Sequence, residues 1–262
     1  MDDNPFNMCL NNFTFEMKEH LLNIAAIGDV HSPKYLNLYK NLVSSVDWSK
    51  INILIFAGDM IFKGSVNEYS HVINITRKYF DGKILAVFGN EEYETLEEKI
   101  ISNYSDEIEW LRDTGIMFTV DGFKIGIIGT RGILDRPTFW QRKNIPNIRE
   151  KYSQRLRKLE NVVSTFRKKC DLIILVSHYS VTYKTLKGER EKTWPELGST
   201  RMEKLLKKYG VEIAIHAHAH RSKVTMTRIN GTSIYNVSLL ATGKITTIKI
   251  KKPTRGLLDF FQ

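Results

Sequence analysis

Five short segments of the sequence each place metal-binding side chains directly after an apolar run. Carboxylate, imidazole and amide groups with no cysteine nearby suit Mn, Fe, Zn, Co or Ni ions rather than a thiolate zinc finger. Seven such ligands with one shared carboxylate would fill most of two adjacent metal sites and leave room for a bridging water, which is the composition of a dinuclear hydrolytic centre. The candidate metal ligands are Asp29, His31, Asp59, Asn90, His178, His218 and His220.

The apolar runs that precede these segments have the length and the β-branched content of strands that are buried on both faces. They cover residues 22–27, 51–57, 84–88, 125–128, 172–176, 211–215 and 233–239. Amphipathic segments between them predict helices over residues 34–46, 65–79, 95–104, 148–169 and 199–209. Strands that alternate with helices predict an α/β fold, in which sites lie at the carboxyl ends of the strands.

Each candidate ligand also has an ordinary structural interpretation. An aspartate after a strand often caps a turn or a helix, as Asp29 or Asp59 could, and Asn90 after Gly89 suits a left-handed turn. His178 could be a buried histidine, and the histidines at 216, 218 and 220 could form an exposed metal-binding tract without catalysis. Alternation along an extended segment would place those three on one face. If none of these residues binds a metal, a separate structural interpretation has to hold at the same end of each of these strands. One common site accounts for all of them together.

The ordered set resembles the calcineurin-like metallophosphoesterases. Their pattern runs Asp-x-His, Gly-Asp, Gly-Asn-His, a histidine and Gly-His-x-His in chain order, and the resemblance extends from about residue 22 to about residue 221. Segments 131–142 and 194–196 are similar to an archaeal branch of that family. The resemblance implies a four-layer αββα sandwich with a dinuclear metal site at the carboxyl edge of its strands. It implies one metal on Asp29, His31 and His220, the other on Asn90, His178 and His218, and Asp59 between them.

The sequence departs from this pattern at two positions. Ala217 replaces a glycine, a mild backbone change, and Glu91 replaces the histidine that in the family orients the substrate or protonates the leaving group. Glu91 could act as a general acid if burial or a neighbouring anion such as Glu92 raises its pKa, or it could support a metal instead. We expect His216, which precedes the matching block, to be buried or to support a ligand.

Positive side chains would stabilise the transition state of phosphoryl transfer. Arg131 follows an apolar run and is a candidate for this role, as are Arg136 and Arg142, although all three could equally belong to a solvated basic loop. Together with the metal ligands, the catalytic candidates are therefore Asn90, Glu91 and Arg131.

We therefore predict a metal-dependent hydrolase of phosphate esters, either a phosphodiesterase or a phosphatase. Two cations would lower the pKa of a bound water enough to supply a hydroxide between them near neutral pH. One alternative is a nuclease acting on DNA or RNA, in which the aromatic rings of Phe139, Trp140 and Trp194 could stack on bases or nucleosides, although they could equally pack loops onto the sandwich. The other is a metal-binding scaffold without catalysis, although such a protein would be expected to lose ligands, and every ligand position here carries a donor.

Composition sets the broad class of the protein. Hydrophobic residues make up 42% of the 262 residues and charged residues 26%, which excludes collagen-like, low-complexity and disordered classes. The net charge of +10, from 39 basic and 29 acidic residues, favours anionic partners without separating small phosphate esters from nucleic acid. With the predicted metals, this charge agrees better with a phosphate-ester substrate, so nucleic acid is possible but not favoured.

The chain carries no internal repeat and no linker rich in Gly, Pro or Ser. We expect one domain over residues 1–262, with residues 1–20 as a possible N-terminal extension, 13–17 as a possible edge strand, and 222–262 as a strand-rich part of the same domain. Cys9 and Cys170 cannot form a disulfide framework, the N-terminus is acidic, and no apolar stretch approaches the roughly 20 residues of a membrane span. These features predict a cytoplasmic protein without a membrane partner.

Overall fold

The computed structural model describes residues 21–251 of the chain, in which two β-sheets pack face to face. The first sheet has five strands in the order β11-β1-β2-β3-β4. Neighbours among β1 to β4 run parallel, and β11 is antiparallel to β1. The strands are β1 (Leu22–Ile27), β2 (Ile53–Phe56), β3 (Lys83–Ala86), β4 (Glu109–Trp110) and β11 (Thr246–Ile250).

The second sheet has six strands in the order β5-β6-β7-β8-β10-β9. Its four central strands are parallel, and β5 and β9 are antiparallel edge strands. The strands are β5 (Thr114–Val120), β6 (Phe123–Thr130), β7 (Leu172–Ser177), β8 (Ile213–His216), β9 (Met226–Ile229) and β10 (Thr232–Asn236).

Helices cover the outer face of each sheet. The first sheet packs against α1 (Leu36–Ser44), α2 (Glu68–Arg77) and α3 (Glu97–Tyr104), and the second against α5 (Ile148–Arg167) and α6 (Thr200–Tyr209). Two short helices, α4 (Phe139–Asn144) and α7 (Leu239–Thr242), lie in connections between strands. The predicted four-layer αββα sandwich is therefore confirmed.

The strand sequences explain the layers, because successive side chains of a strand point to opposite faces. In β1, Ile24 and Ala26 face the second sheet, whereas Ala25 and Ile27 pack under α1 and α2. Both faces of the central strands are thus buried, as the continuous apolar runs predicted. Helix α5 packs the other side of the sandwich with one apolar stripe that includes Leu159 and Val163.

The sequence prediction missed the elements that are short or half exposed. Strand β5 alternates exposed and partly buried residues at a sheet edge, so it lacks the continuous apolar run of a central strand. The strand predicted over residues 233–239 extends too far, since β10 ends at Asn236 and Leu239 begins α7. Strands β9 and β11 agree with the strand-rich ending expected after residue 222. The possible strand at 13–17 lies outside the described residues.

Candidate metal centre

The five predicted ligand segments meet at one edge of the sandwich. Three follow β1, β2 and β3 of the first sheet, and two follow β7 and β8 of the second. Hydrogen bonds join the two sheets here: the His178 ring Nδ1 lies 3.0 Å from the Ala57 carbonyl oxygen, and the His218 backbone N–H donates to Asp29 Oδ2 at 2.9 Å. The strand ends thus bring together side chains that lie up to 191 residues apart in the chain, since Asp29 is near His220.

Four of the predicted ligands have positive φ angles: Asp29 (61°), His31 (45°), Asp59 (53°) and His218 (67°). Non-glycine residues rarely adopt this conformation, which costs of order 1–3 kcal/mol and persists where the surroundings impose it. The chain passes through such a residue after β1, β2 and β8. Backbone strain of this kind concentrated on ligand positions is typical of functional sites.

Two triads of donor side chains form at this edge. Asp29, His31 and His220 make one, and Asp59, His178 and His218 make the other, with one ligand atom per residue and all three atoms within 4.8 Å of one another in each triad. The His218 and His220 ring centroids are 6.2 Å apart, so the triads are neighbours. The first triad has the residues of one metal set that the resemblance implies, whereas the second has Asp59 beside His178 and His218, where the resemblance implies Asn90 with Asp59 between the two metals.

Asn90 joins the second triad. Its side-chain oxygen lies 3.2 Å from His178 Nε2, and Asp59 Oδ2 lies 3.4 Å from the same nitrogen. The Ala57 carbonyl can only accept a hydrogen bond, so the proton of neutral His178 resides on Nδ1 and the Nε2 lone pair faces Asp59 and Asn90. All seven predicted metal ligands therefore lie at one site.

Several buried atoms of these side chains have no hydrogen-bond partner among the described residues. They are Asp29 Oδ1, His31 Nδ1, His218 Nδ1 and His220 Nε2. Unpartnered buried polar atoms are costly in a folded protein. A divalent cation would satisfy donor atoms of this type, because imidazole nitrogens and carboxylate oxygens are the ligands of borderline metal ions. The donor set therefore fits two such ions.

The charges of the buried carboxylates favour the binding of a cation at this site. Burial raises the pKa of Asp59 well above its usual range, and the negative charges of Glu92 and Asp29 raise it further. Burial also opposes ionisation of Asp29, but the His220 ring, whose Nε2 lies 3.4 Å from Asp29 Oδ1, holds its pKa below the usual value. Two carboxylates in one buried site repel each other, and a bound cation removes that repulsion.

Burial lowers the pKa of most of the histidines. The pKa of His178 falls to about 4, and those of His31 and His218 also lie below the ordinary value because desolvation disfavours the charged ring. Burial acts on His220 in the same direction, but the Asp29 carboxylate outweighs it and raises the pKa. Neutral imidazole is the form that binds metal, so three of the four rings are ready for a cation near pH 7.

Glu92 supports the turns that carry Asp59 and Asn90 from the buried side of the site. The sequence pattern indicated it only as an anion near Glu91. The buried carboxylate of Glu92 accepts hydrogen bonds from the backbone N–H groups of Asp59 (2.8 Å), Met60 (2.8 Å) and Gly89 (2.7 Å), and from the Tyr69 hydroxyl (2.9 Å). It thereby ties the turn after β2 to the turn after β3. Gly89 allows this approach, since a Cβ there would lie 2.1 Å from Asp59 Oδ1.

Glu91 lies at the surface of the site and stands outside both triads. Its Oε2 accepts the Lys63 backbone N–H at 2.7 Å, and its own backbone N–H donates to Asp59 Oδ1 at 2.7 Å. Glu92, which sequence reasoning considered as an anion acting on Glu91, is instead bonded to the backbone of the two turns. The backbone of Glu91 is thus held by Asp59 and its carboxyl by the Lys63 backbone, and the residue lines a cavity at this edge.

The three candidate arginines occupy different surroundings. Arg131 is largely buried and donates from Nη2 to Glu97 Oε1 and to the Glu92 carbonyl, both at 2.7 Å. Arg136 is held by Glu196 (3.0 Å) and by the Lys192 carbonyl, and Arg142 donates to the Pro137 carbonyl. Arg131 alone of the three lines the cavity beside the predicted ligands, whereas Arg136 lies exposed in a loop and Arg142 lies exposed in α4.

The histidine run does not continue the strand as alternation predicted. Strand β8 ends at His216, and the left-handed φ of His218 breaks the extended backbone. His216 is fully buried, with Nε2 2.7 Å from the Thr185 hydroxyl and Nδ1 2.8 Å from the Ala217 carbonyl. His216 is thus buried away from the triads. Ala217 is accommodated because Gly28 faces it, where a Cβ would lie 2.6 Å from the Ala217 methyl.

A cavity of about 620 Å³ opens directly from the second triad. Asn90 and His218 form its inner end, and the loop and short helix around α4 form its outer wall. Cavities of roughly 300–1,000 Å³ are typical of small-molecule sites. The donor cluster therefore borders a space large enough for a substrate.

Within residues 21–251, none of the helices combines the length and the hydropathy that a membrane-spanning helix requires.

Comparison with known structures supports the fold. The chain is similar to the phosphopantetheinyl hydrolase of Mycobacterium tuberculosis (14% identity, 84% of this chain and 90% of that chain, TM-score 0.60). It is also similar to a dimetal phosphatase from Danio rerio (12% identity, 89% of this chain and 94% of that chain, TM-score 0.60). A third similar structure is GAP50, the anchor in the inner membrane complex of Plasmodium (16% identity, 89% of this chain and 76% of that chain, TM-score 0.55). At these identities the likeness concerns the fold. No curated protein sequence matches the chain.

The sequence itself matches a family model over residues 22–222, a range that contains all seven predicted ligands. The match concerns the family as a whole, so the archaeal branch stays a prediction. With two donor triads at the strand ends of an αββα sandwich, the match leads to one conclusion: the chain belongs to the calcineurin-like phosphoesterase family.

Proposed function

We propose that this protein hydrolyses phosphate esters, with one divalent cation on Asp29, His31 and His220 and another on Asn90, His178 and His218, and with Asp59 shared between them. The observation that carries the proposal is the pair of donor triads with unpartnered buried atoms beside a substrate-sized cavity. Two such cations, when bound, activate a water molecule and neutralise phosphoryl oxygens.

In this reaction a water oxygen forms a bond to phosphorus, the ester P–O bond breaks, and the alcohol leaves with a proton. Glu91 is the residue of the chain that we assign to this proton, because its carboxyl lies at the cavity and is held by the Lys63 N–H. Arg131 lines the same cavity, where its positive charge stabilises negative charge that develops on the phosphoryl group. Its ion pair with Glu97 fixes the guanidinium in place.

The proposal takes residues 1–262 as one domain and places the protein in the cytoplasm. The two sheets share one apolar layer over the described residues, and Cys170 is buried without a disulfide partner among them. A reducing compartment suits an unpaired cysteine.

The test is hydrolysis of a chromogenic phosphomonoester and a chromogenic phosphodiester in the presence of Mn, Fe, Zn, Co, Ni or Mg. We expect turnover of at least one ester with at least one metal, and a loss of about a hundredfold or more in Asn90→Ala, the order expected when a group that stabilises the transition state is removed. His71→Ala, which removes an exposed histidine of α2, is the matched control and should retain full activity. Absence of hydrolysis of both esters with every metal would leave a metal-binding scaffold as the better interpretation.

A further inference from the structure

The cavity beside the second triad has a chemically distinct far wall. Its inner end carries Asn90, His218 and Arg131, whereas its outer wall includes Trp140, Ile145 and Pro146. A phosphoryl group at the triads would therefore leave the rest of the substrate facing an aromatic and aliphatic surface.

Trp140 is the only tryptophan among the residues that line the cavity, where Tyr93 and Tyr179 are the other aromatic residues. Trp140 is 57% exposed, and none of the described aromatic residues makes a ring contact with its indole. Phe139, its neighbour in α4, is 73% exposed but does not line the cavity. Trp194 is occupied elsewhere, since its Nε1 donates to the Glu189 carbonyl at 3.2 Å and its ring packs against Tyr183. Of the three aromatic candidates, Trp140 alone presents a free ring to the cavity.

Helix α4 is fixed to the metal centre by Gln141. Its Nε2 donates to the Tyr179 hydroxyl at 3.0 Å, and its Oε1 accepts from the Tyr152 hydroxyl at 3.1 Å. The Tyr179 ring lies 4.9 Å from the His218 ring between centroids. Gln141 also completes a capping box with Thr138 at the start of α4. The wall that carries Trp140 is therefore built at a defined distance from the second triad.

Two of the three cations that line the cavity are paired with carboxylates, and the third, Lys63, lies over the ring of Phe62. Lys151 contacts Glu94 at 3.1 Å, and Arg131 contacts Glu97 at 2.7 Å. A nucleic-acid backbone is bound through several cations that are free to neutralise successive phosphates. Paired cations and a volume of about 620 Å³ instead suit one small molecule.

We propose that this cavity binds a planar ring of the substrate against the face of Trp140, so that the substrate is a small phosphate ester that carries an aromatic group, such as a nucleoside. This inference rests on the proposed function, because the phosphate of the same molecule occupies the metal centre. Stacking of an aromatic ring on an aromatic side chain changes affinity by about fivefold to a hundredfold per base.

The test compares two phosphonates in which a methylene group replaces the ester oxygen, so that neither can be hydrolysed. One is the analogue of adenosine 5′-monophosphate and the other the analogue of ribose 5-phosphate, and the two differ only in the base. Calorimetry with Mn²⁺-loaded protein should show that the adenosine compound binds about tenfold more tightly. Trp140→Ala should remove this preference without changing the affinity for the ribose compound.

Two further variants separate stacking from folding. Trp140→Phe keeps an aromatic face and should keep most of the preference, whereas Phe139→Ala removes a ring outside the cavity and should leave both affinities unchanged. Equal affinities for the two phosphonates in the wild type, or an unchanged preference in Trp140→Ala, would overturn ring binding even if chromogenic esters are hydrolysed. Binding of the adenosine phosphonate with the expected preference, in a protein that hydrolyses no ester, would instead overturn the proposed function alone.

A single-stranded oligonucleotide provides the last comparison. We expect it to compete with the adenosine phosphonate no better than a mononucleotide does. Tighter competition by the oligonucleotide that falls steeply as salt rises would show a polynucleotide track and would overturn the small-molecule assignment.

Discussion

The carboxylate of Glu92 lies directly behind Asp59, a predicted metal ligand, with its Oε2 2.8 Å from the Asp59 backbone nitrogen. The same carboxylate accepts from Met60, Gly89 and Tyr69, so one buried charge holds the turns that carry Asp59 and Asn90. A buried carboxylate is stabilised by several donors at once, and the donors in turn depend on it. The two ligands thus keep their positions because of a residue that does not face the site.

Replacement of Glu92 by glutamine should destabilise the fold. Its amide nitrogen cannot accept a hydrogen bond, so backbone donors of Asp59 or Met60 would be left without a partner, at about 1–3 kcal/mol for each buried group. We expect a fall of about 2 kcal/mol or more in the free energy of unfolding in urea, together with weaker metal binding. Glu98→Gln, an exposed change in α3, should stay within about 1 kcal/mol of the wild type. Similar losses in the two variants would contradict the role of Glu92.

Metal binding should depend on the histidines of the triads and on no other histidine. We expect the wild type to bind two divalent ions per chain, and His220→Ala to weaken one of the two sites by at least about tenfold. Calorimetric titration with Mn²⁺ or Zn²⁺ measures both sites. His71→Ala removes a surface histidine of α2 and should titrate like the wild type. A single site in the wild type, or two unchanged sites in His220→Ala, would contradict the assignment.

Removal of the metals should also lower the thermal stability. Ions that bind only the folded state stabilise it by about 2.7 kcal/mol when their concentration is a hundred times the dissociation constant. In addition, a bound cation would offset the electrostatic repulsion among the carboxylates. Burial raises the pKa of Asp59, and the charges of Glu92 and Asp29 raise it further. We expect a chelator to lower the Tm of the wild type by several degrees and to have little effect on Asp29→Ala.

The layers of the fold and the positions of the ligands could be predicted from the sequence because both depend on local patterns. Continuous apolar runs mark strands that are buried on both faces, and a donor directly after such a run lies at the strand end. His178 could be placed from its position after β7 alone. The edge strand β5 was not predicted, since exposure on one side removes the continuous apolar run, and β9 was predicted only as part of a strand-rich ending without bounds.

The supporting residues could not be predicted in the same way, because their partners are distant in the chain. Gln141 contacts Tyr179, 38 residues away, and Arg131 contacts Glu97, 34 residues away. Nothing in the local sequence shows which of Arg131, Arg136 and Arg142 reaches the cavity. That outcome depends on tertiary packing, in which nearby carboxylates such as Glu196 hold two of the three at the surface.

Acid should weaken the connection between α6 and the loop before α4. Burial opposes ionisation of Asp135, but hydrogen bonds from Ser199, the Thr200 backbone N–H and Tyr183 outweigh it and lower the pKa. A lowered folded-state pKa gives stability that is present above the unfolded value near 3.9 and is lost as the pH falls through the folded value. At pH 7 we expect Asp135→Asn to cost about 2 kcal/mol of unfolding free energy.

The difference between Asp135→Asn and the wild type should shrink as the pH falls below about 4, because the carboxylate of the unfolded chain is then protonated first and the folded carboxylate only at lower pH. Urea unfolding at a series of pH values measures it. Asp81→Asn, at an exposed position before β3, serves as the control with little effect at any pH. A difference that stays constant down to pH 2 would show that the Asp135 charge contributes nothing.

Loss of the Glu91 carboxyl should slow the release of poor leaving groups more than that of good ones. Glu91→Gln keeps an oxygen for the Lys63 N–H, so the local backbone contact can persist while the acid is lost. A general acid matters most when the leaving alcohol is a poor leaving group, where it contributes about 10²–10⁴ in rate. We expect kcat to fall by about a hundredfold for an alkyl phosphate and by less than about threefold for a p-nitrophenyl ester, which needs no protonation. Glu91→Ala should give the same ratio with an additional loss common to both substrates, since it also removes the acceptor for Lys63. If either variant slowed the two substrates equally, Glu91 would hold the loop beside Asp59 and would not supply the proton.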